Sequence, residues 1–214
     1  MRKNNDRYNT NQKRFTRDLH TQFKQNILNM GWFLGRDIYP NQFKDNEGLI
    51  KDDKTFPAYQ FVHLIKNVAI QPAPMSPAYE SVFQAVNIIA NKCGYVLKED
   101  KRLKFNLLMP HPEFNNTMYN IPHIDDTKLT NEIWNIIYYP EDYDGDTIIF
   151  NEKFDGKKPK ELTIRERIKP QENSAIMFKC DIWHTSSMPI KSPYRVVLNA
   201  NITVEENGLS LIHI

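Results

Sequence analysis

Residues Ile121-Pro122-His123-Ile124-Asp125-Asp126 decide how this chain is read. His123 and Asp125 stand two apart, and on an extended segment side chains two apart share a face. Pro122 sets its own φ and pushes Ile121 toward extended conformations. Asp126 is a competing carboxylate, but strand parity favours Asp125. An imidazole beside a carboxylate can fill two positions of a hard-to-borderline metal ion. One further imidazole would complete a two-histidine, one-carboxylate facial triad.

The second imidazole in chain order is His184, in Cys180-Asp-Ile-Trp-His-Thr185, following an apolar strand-like run at 175–178. A strand end that delivers histidine onto a loop suits a metal ligand. Beyond it, residues 194–203 alternate. Arg195, Val197 and Asn199 share one face, and Val196, Leu198 and Ala200 share the other. One face must line the interior of a closed sheet. An inward arginine needs an anion, because an unpaired buried charge costs several kcal/mol. Its guanidinium fork fits a carboxylate. Between the two motifs, Ile136 to Phe150 reads as strand, turn and strand. Gly145 permits the tight turn, and the acidic stretch 141–146 is placed at the barrel mouth.

Outward from these motifs, strand-like runs occupy 103–109, 118–125, 133–139, 146–150, 162–168, 174–179 and 194–203. Seven short strands with turn signals between them indicate an antiparallel jelly roll. Upstream the pattern differs. Phe15, Leu19, Phe23, Ile27 and Met30 have helical spacing, stopped by Gly31. Residues 32–39 and 58–65 read as strands, and 41–55 and 71–77 as loops. A second helix carries Val82, Phe83, Val86, Ile88 and Ile89, with Ser76 as its cap, Pro77 at its first position and an end before Gly94. The fold class expected is therefore α+β with a mainly β core, its N-terminal helices packed against it. Residues 1–14 form a basic, disordered tail and 15–214 a single domain. Within it, 15–100 are helical support and 101–205 the core.

With 214 residues, 40% of them hydrophobic, the chain can bury one sizeable core. A formal net charge of +2 neither demands nor excludes nucleic acid. Cys93 and Cys180 are too far apart for a metal-binding pair and read as free thiols in a reducing compartment. No stretch is long and apolar enough for a leader or a membrane span, which points to a soluble, cytoplasmic protein without a membrane partner. His20 and His63 read as structural, and His111 as structural or substrate-side, near the site mouth.

The order His123-x-Asp125, Gly145-Asp146-Thr147, His184, Arg195 resembles the Fe(II)- and 2-oxoglutarate-dependent dioxygenases, with the prolyl-4-hydroxylase-like branch closest. The similarity covers roughly residues 103–201 and weakens back to Phe61. It implies a double-stranded β-helix of jelly-roll or cupin type, with His123, Asp125 and His184 as iron ligands. It also implies Arg195 on the far carboxylate of 2-oxoglutarate, assisted by Asn106, which stands where the family often has Tyr, or by Thr147. Trp183, Trp134 and Tyr138 would pack around the site. Two departures concern the substrate side. Asp144-Gly145-Asp146-Thr147 replaces Gly-Gly-Glu-Thr, and Thr185 replaces the Gly that often follows the distal histidine.

The activity implied is hydroxylation of a C–H bond in a peptidyl, including prolyl, or small-molecule substrate. Fe(II), 2-oxoglutarate and O2 take part, and succinate and CO2 are co-products. Two other readings stand beside it. One is nucleic-acid demethylation at the same iron site, which the acidic 141–146 stretch disfavours. The other is a non-enzymatic jelly-roll binding or structural module, in which the three ligands would not converge.

Overall fold

The structure is a computed structural model, and it describes residues 17–27, 29–35, 54–56, 59–70, 72, 75–125, 132–157 and 159–206. The expected tail, Asp126 and most of the 41–55 loop lie outside the described residues. In chain order the elements are α1 (Arg17–Ile27), β1 (Phe33–Gly35), β2 (Thr55–Phe56), β3 (Gln60–Asn67), α2 (Tyr79–Lys92), β4 (Tyr95–Leu108) and β5 (Tyr119–Asn120). They continue with β6 (Ile133–Tyr139), β7 (Thr147–Lys153), β8 (Ile164–Ile168), β9 (Ser174–Lys179), β10 (Ile182–Ser186) and β11 (Arg195–Glu206).

Two sheets face each other. The larger runs β1-β3-β4-β11-β6-β9, and the smaller runs β10-β7-β8. The short pair β2-β5 leads to the smaller sheet's edge, where His123 bridges His184 of β10. The eight strands β4 to β11 thus wind back and forth between the sheets as a double-stranded β-helix, as the sequence pattern indicates. β1 and β3 extend the larger sheet beyond it.

Period-two alternation sorts side chains between two cores. On the outer face of the larger sheet, Leu103, Phe105, Ile136, Tyr138, Val196, Leu198, Ala200 and Ile202 join one apolar cluster with Phe23 and Ile27 of α1. Val82, Ala85, Val86, Ile89 and Ala90 complete it as the buried stripe of α2. Each large side chain so buried contributes roughly 1.5–3 kcal/mol. On the inner face, Ile137, Tyr139, Ile176, Phe178 and Val197 meet Ile149 and Ile182 of the smaller sheet. The remaining inner positions are polar, and they form the site.

Several local expectations are corrected. Residues 95–100, with Lys98, Glu99 and Asp100 in succession, are strand, because they pair with the far end of β11. The 118–125 run is a strand only at Tyr119–Asn120, since Pro122 has no N–H for a continuous ladder. His184 lies within β10 and not on a loop. Helix α2 starts at Tyr79, so Pro77 sits in the turn before it. Ser76 Oγ accepts the Ala78 N–H at 3.2 Å instead of capping the first helical turn. Gly94, at φ +86°, does end that helix, in a conformation that L side chains rarely adopt. No described helix is long and apolar enough to cross a membrane.

Candidate metal and anion site

His123, Asp125 and His184 converge, with one ligand atom from each lying within 4.8 Å of the others. Three features set this geometry. His123 N donates to His184 O, and His184 N donates to His123 O, each at 2.9 Å. This reciprocal pair brings the two rings to 4.5 Å between centroids. Each ring then turns its Nδ1 to the carbonyl two residues back: His123 to Ile121 O at 3.3 Å, His184 to Ile182 O at 3.0 Å. A carbonyl only accepts, so each Nδ1 carries a proton, which leaves Nε2 as the ring nitrogen that can meet a ligand.

The Asp125 carboxylate is held from behind. Arg102 Nη2 donates to Oδ1 at 2.8 Å, and Asn199 and Asn201 donate to Oδ2 at 3.3 Å each. Asn201 also bonds Asn135 and the Cys180 sulfur. Burial alone would raise the Asp125 carboxyl, but the Arg102 guanidinium, with His184 and His123, holds it well below the usual range. Burial, reinforced by repulsion from His184, pushes His123 down to about 3, so it is a neutral imidazole near pH 7. An ionised carboxylate at Asp125 and a neutral imidazole at His123 are protonation states that suit a divalent metal.

The fit to a metal rests on an orphan. His184 Nε2 is buried without a hydrogen-bond partner, and it stands 3.6 Å from Asp125 Oδ2, beyond hydrogen-bond length. Leaving a buried polar atom unmade costs about 1–3 kcal/mol, which an ion at this point would offset.

Along β4 and β11 the inner-face residues pair in order: Arg102 with Asn201, Lys104 with Asn199, Asn106 with Val197, and Leu108 with Arg195. Arg195 points inward, as its parity predicts, and is 2% exposed. Its Nε donates to Gly145 O at 2.7 Å and its Nη2 to Thr147 Oγ1 at 2.8 Å. Tyr139 O–H also donates to Thr147 Oγ1, at 2.8 Å. Burial raises Tyr139 to about 12, so it stays a donor. With both Thr147 lone pairs taken, its own proton is left to point at a ligand. Thr147, Arg195 and Asn106 line one cavity with His123 and His184. Asn106 Oδ1 is a second buried orphan there.

Gly145 matters through closeness and not through a left-handed turn. A Cβ there would stand 2.7 Å from Ser187 O and 2.8 Å from Arg195 Cδ. The neighbouring Asp144 is a structural staple. Its carboxylate accepts N–H bonds from Ile190, Lys191 and Ser192, which pin the loop leading into β11. Asp142 likewise accepts the Glu172 N–H at 2.7 Å. The expectation of an acidic mouth therefore loses two of its carboxylates to backbone bonding.

The aromatic residues around the site are corrected too. Trp134 and Tyr138 are on the helix-side face of β6, and Trp183 packs with Tyr119, Ile124, Ile148 and Phe150 on the opposite side of β10 from His184. Ile137, Tyr139 and Phe178 take the inner positions, and the Phe178 ring lies 5.0 Å from that of His184. Among the described residues, His20 and His63 are held in structural hydrogen bonds: His20 bonds Tyr138 and Glu172, and His63 bonds Gly31 O and Ser76. His111 is exposed and stacks on Phe56 at 4.8 Å. Cys93 and Cys180 are not joined in a disulfide. Arg102 and Lys104 were missed as site residues. Their one signal was the alternation Arg102-x-Lys104-x-Asn106 on a strand whose other face is apolar.

No protein-family model matches the chain, and no curated protein matches it. Solved structures do. AviO1 from Streptomyces viridochromogenes aligns with a TM-score of 0.53 and 11% identity over 92% of this chain and 90% of that one. The non-haem α-ketoglutarate-dependent epimerase SnoN, from nogalamycin biosynthesis, aligns at 0.50 with 6% identity over 92% of this chain and 79% of that one. SnoN in complex with Fe3+, α-ketoglutarate and nogalamycin RO aligns at 0.50 with 7% identity over 88% and 75%. At these identities the likeness is one of fold, and the chain has the double-stranded β-helix architecture that it shares with AviO1 and SnoN.

Proposed function

We propose that this chain is a non-haem Fe(II)- and 2-oxoglutarate-dependent oxygenase, with His123, Asp125 and His184 as metal ligands. The reaction is hydroxylation of a C–H bond in a peptidyl or small-molecule substrate, yielding succinate and CO2. The observation that carries the reading is the orphaned, buried His184 Nε2. It faces a carboxylate and a second imidazole whose protonation states already suit a divalent ion. The α-ketoglutarate dependence named for SnoN, which has the same fold, supports it.

Bound there, the metal would supply the redox chemistry that amino-acid side chains lack, with O2 as the oxidant and 2-oxoglutarate as the co-reductant that leaves as succinate and CO2. The chain's own part is binding and orientation. Arg102 engages Asp125 Oδ1, and Oδ2, the oxygen nearer His184 Nε2, is the one that would meet a metal. Arg195, with the free Thr147 proton and Asn106, would take the carboxylate of 2-oxoglutarate remote from the metal. Ile137, Phe178 and Val197 exclude water around it.

The test is succinate formation from 2-oxoglutarate by the Fe(II)-loaded protein without any added substrate. The slow uncoupled reaction is expected in wild type and absent in His184→Ala. Wild-type protein that binds neither metal nor 2-oxoglutarate would refute the assignment.

A further inference from the structure

We propose that Lys104 is a second carboxylate-binding point in the central cavity, holding an anion at the metal end while Arg195 holds one at the far end. This rests on the oxygenase reading above, and it concerns a residue to which that reading gives no part.

Lys104 lines the same cavity as His123, His184 and Arg195. The other cations of this inner surface are engaged: Arg102 with Asp125, and Arg195 with Gly145 O and Thr147. Lys104 is only partly exposed and makes no hydrogen bond or ion pair with any described residue. Burial, together with repulsion from Arg102, lowers its ammonium to about 7, as befits a cation without a counter-ion. A half-buried ammonium is costly unless something pairs with it.

Position decides what that is. Lys104 pairs across the sheet with Asn199, and Asn199 donates to Asp125, so Lys104 stands level with the metal ligands. Arg195 pairs with Leu108, four residues further along β4. At about 3.3 Å per residue the two backbone positions are about 13 Å apart. Long side chains converging from that separation can hold the two ends of a short dicarboxylate. Charge points the same way. With Lys104 protonated, one metal dication, Asp125, Arg102, Arg195, Lys104 and a dianionic 2-oxo acid leave the cavity positive, so an anion at Lys104 is favoured.

The carboxylate has two sources: the one beside the keto group of 2-oxoglutarate, or one on the substrate. Calorimetric titration of the full chain loaded with Mn(II) separates them. Three probes are used: 2-oxoglutarate, 2-oxopentanoate, which lacks the far carboxylate, and 4-oxopentanoate, which lacks the carboxylate beside the keto group. If the cosubstrate supplies the anion, Lys104→Met weakens 2-oxoglutarate and 2-oxopentanoate about tenfold or more and leaves 4-oxopentanoate within about twofold. Lys104→Arg recovers part of the loss. If the substrate supplies it, all three probes bind unchanged. Saturable uptake of acetate by the 2-oxoglutarate-loaded protein is then present in wild type and lost in Lys104→Met.

A Lys104→Met protein unchanged in every titration overturns the inference while the oxygenase reading stands. A uniform loss of all three probes also overturns it, since Lys104 would then be shaping the cavity. Wild-type protein that takes up no Mn(II) or no 2-oxoglutarate overturns both. Thermal melts accompany each variant. Removing an unpaired cation is expected to leave Tm unchanged or higher, whereas a structural lysine would lower it.

Discussion

His123 and His184 exchange both of their backbone hydrogen bonds, N to O and O to N, at 2.9 Å each. The bridge joins a segment that Pro122 keeps out of a regular ladder to the middle of β10. The two imidazoles are therefore brought together by backbone bonding, and their Nδ1 bonds to Ile121 O and Ile182 O turn the rings. Metal binding and folding should separate accordingly. His123→Ala is expected to lower affinity for Mn(II) or Zn(II) by about 100-fold or more while leaving the far-UV spectrum unchanged. Equilibrium dialysis with circular dichroism checks this, and a variant that unfolds would show that the ring itself holds the bridge.

Arg102 carries a different load, because its partner Asp125 is 4% exposed at the side chain while Arg102 is 25% exposed. Arg102→Met leaves that carboxylate with only two long amide bonds. Breaking a buried pair on one side is strongly destabilising, so a loss of about 2 kcal/mol is expected for the metal-free protein. A bound dication would restore much of it. The check is urea unfolding with and without Mn(II): equal losses in both conditions would argue that Asp125 does not face the metal.

Gly145 and Arg195 form the carboxylate end of the cavity as a unit. Gly145→Ala would drive a methyl group against Ser187 O and the Arg195 side chain. The expected result is about 1–3 kcal/mol of destabilisation and a displaced guanidinium. Arg195→Lys keeps the charge but loses the fork. Both variants should raise the apparent constant for 2-oxoglutarate about tenfold or more, with metal affinity unchanged. An unaltered constant in Arg195→Lys would remove Arg195 from that role.

Asp144 gives the loop before β11 a pH dependence. Burial alone would raise its carboxyl, but the N–H groups of Lys191, Ser192 and Ile190 bring it below the usual carboxylate value. A carboxyl with a depressed folded-state pKa contributes stability above its unfolded value. That contribution is lost as pH falls through the folded value, here below roughly pH 4. Asp144→Asn should therefore lower Tm at pH 6 and narrow its gap to wild type as pH approaches 3. A gap constant across that range would contradict the assignment.

The β-helix was legible because β4 and β11 alternate polar and apolar residues over long runs, and because β6 and β9 are short apolar runs bounded by turn signals. The triad was legible because parity pairs His123 with Asp125 and His184 follows the apolar run 175–178, although the loop expected there is β10. The facing of β6 was not. In Ile-Trp-Asn-Ile-Ile-Tyr-Tyr both faces are apolar, so only tertiary packing decides that Asn135, Ile137 and Tyr139 look inward while Trp134 and Tyr138 look out. Arg102 and Lys104 were illegible for the converse reason. Charged residues alternating along a strand read as a solvated face until β11 and the second sheet close over them. The role of Asp144 depended on a loop 46 residues away in sequence, which no local pattern encodes.

The most direct measurement is the visible spectrum of the metal-free protein given Fe(II) and then 2-oxoglutarate under anaerobic conditions. The account predicts a weak charge-transfer band that saturates with 2-oxoglutarate and is lost in His123→Ala and His184→Ala. The band should survive in Arg195→Lys, with saturation shifted to higher concentration. No band, with no iron retained after gel filtration, would contradict the account and leave a β-helix whose three converging side chains serve some other purpose.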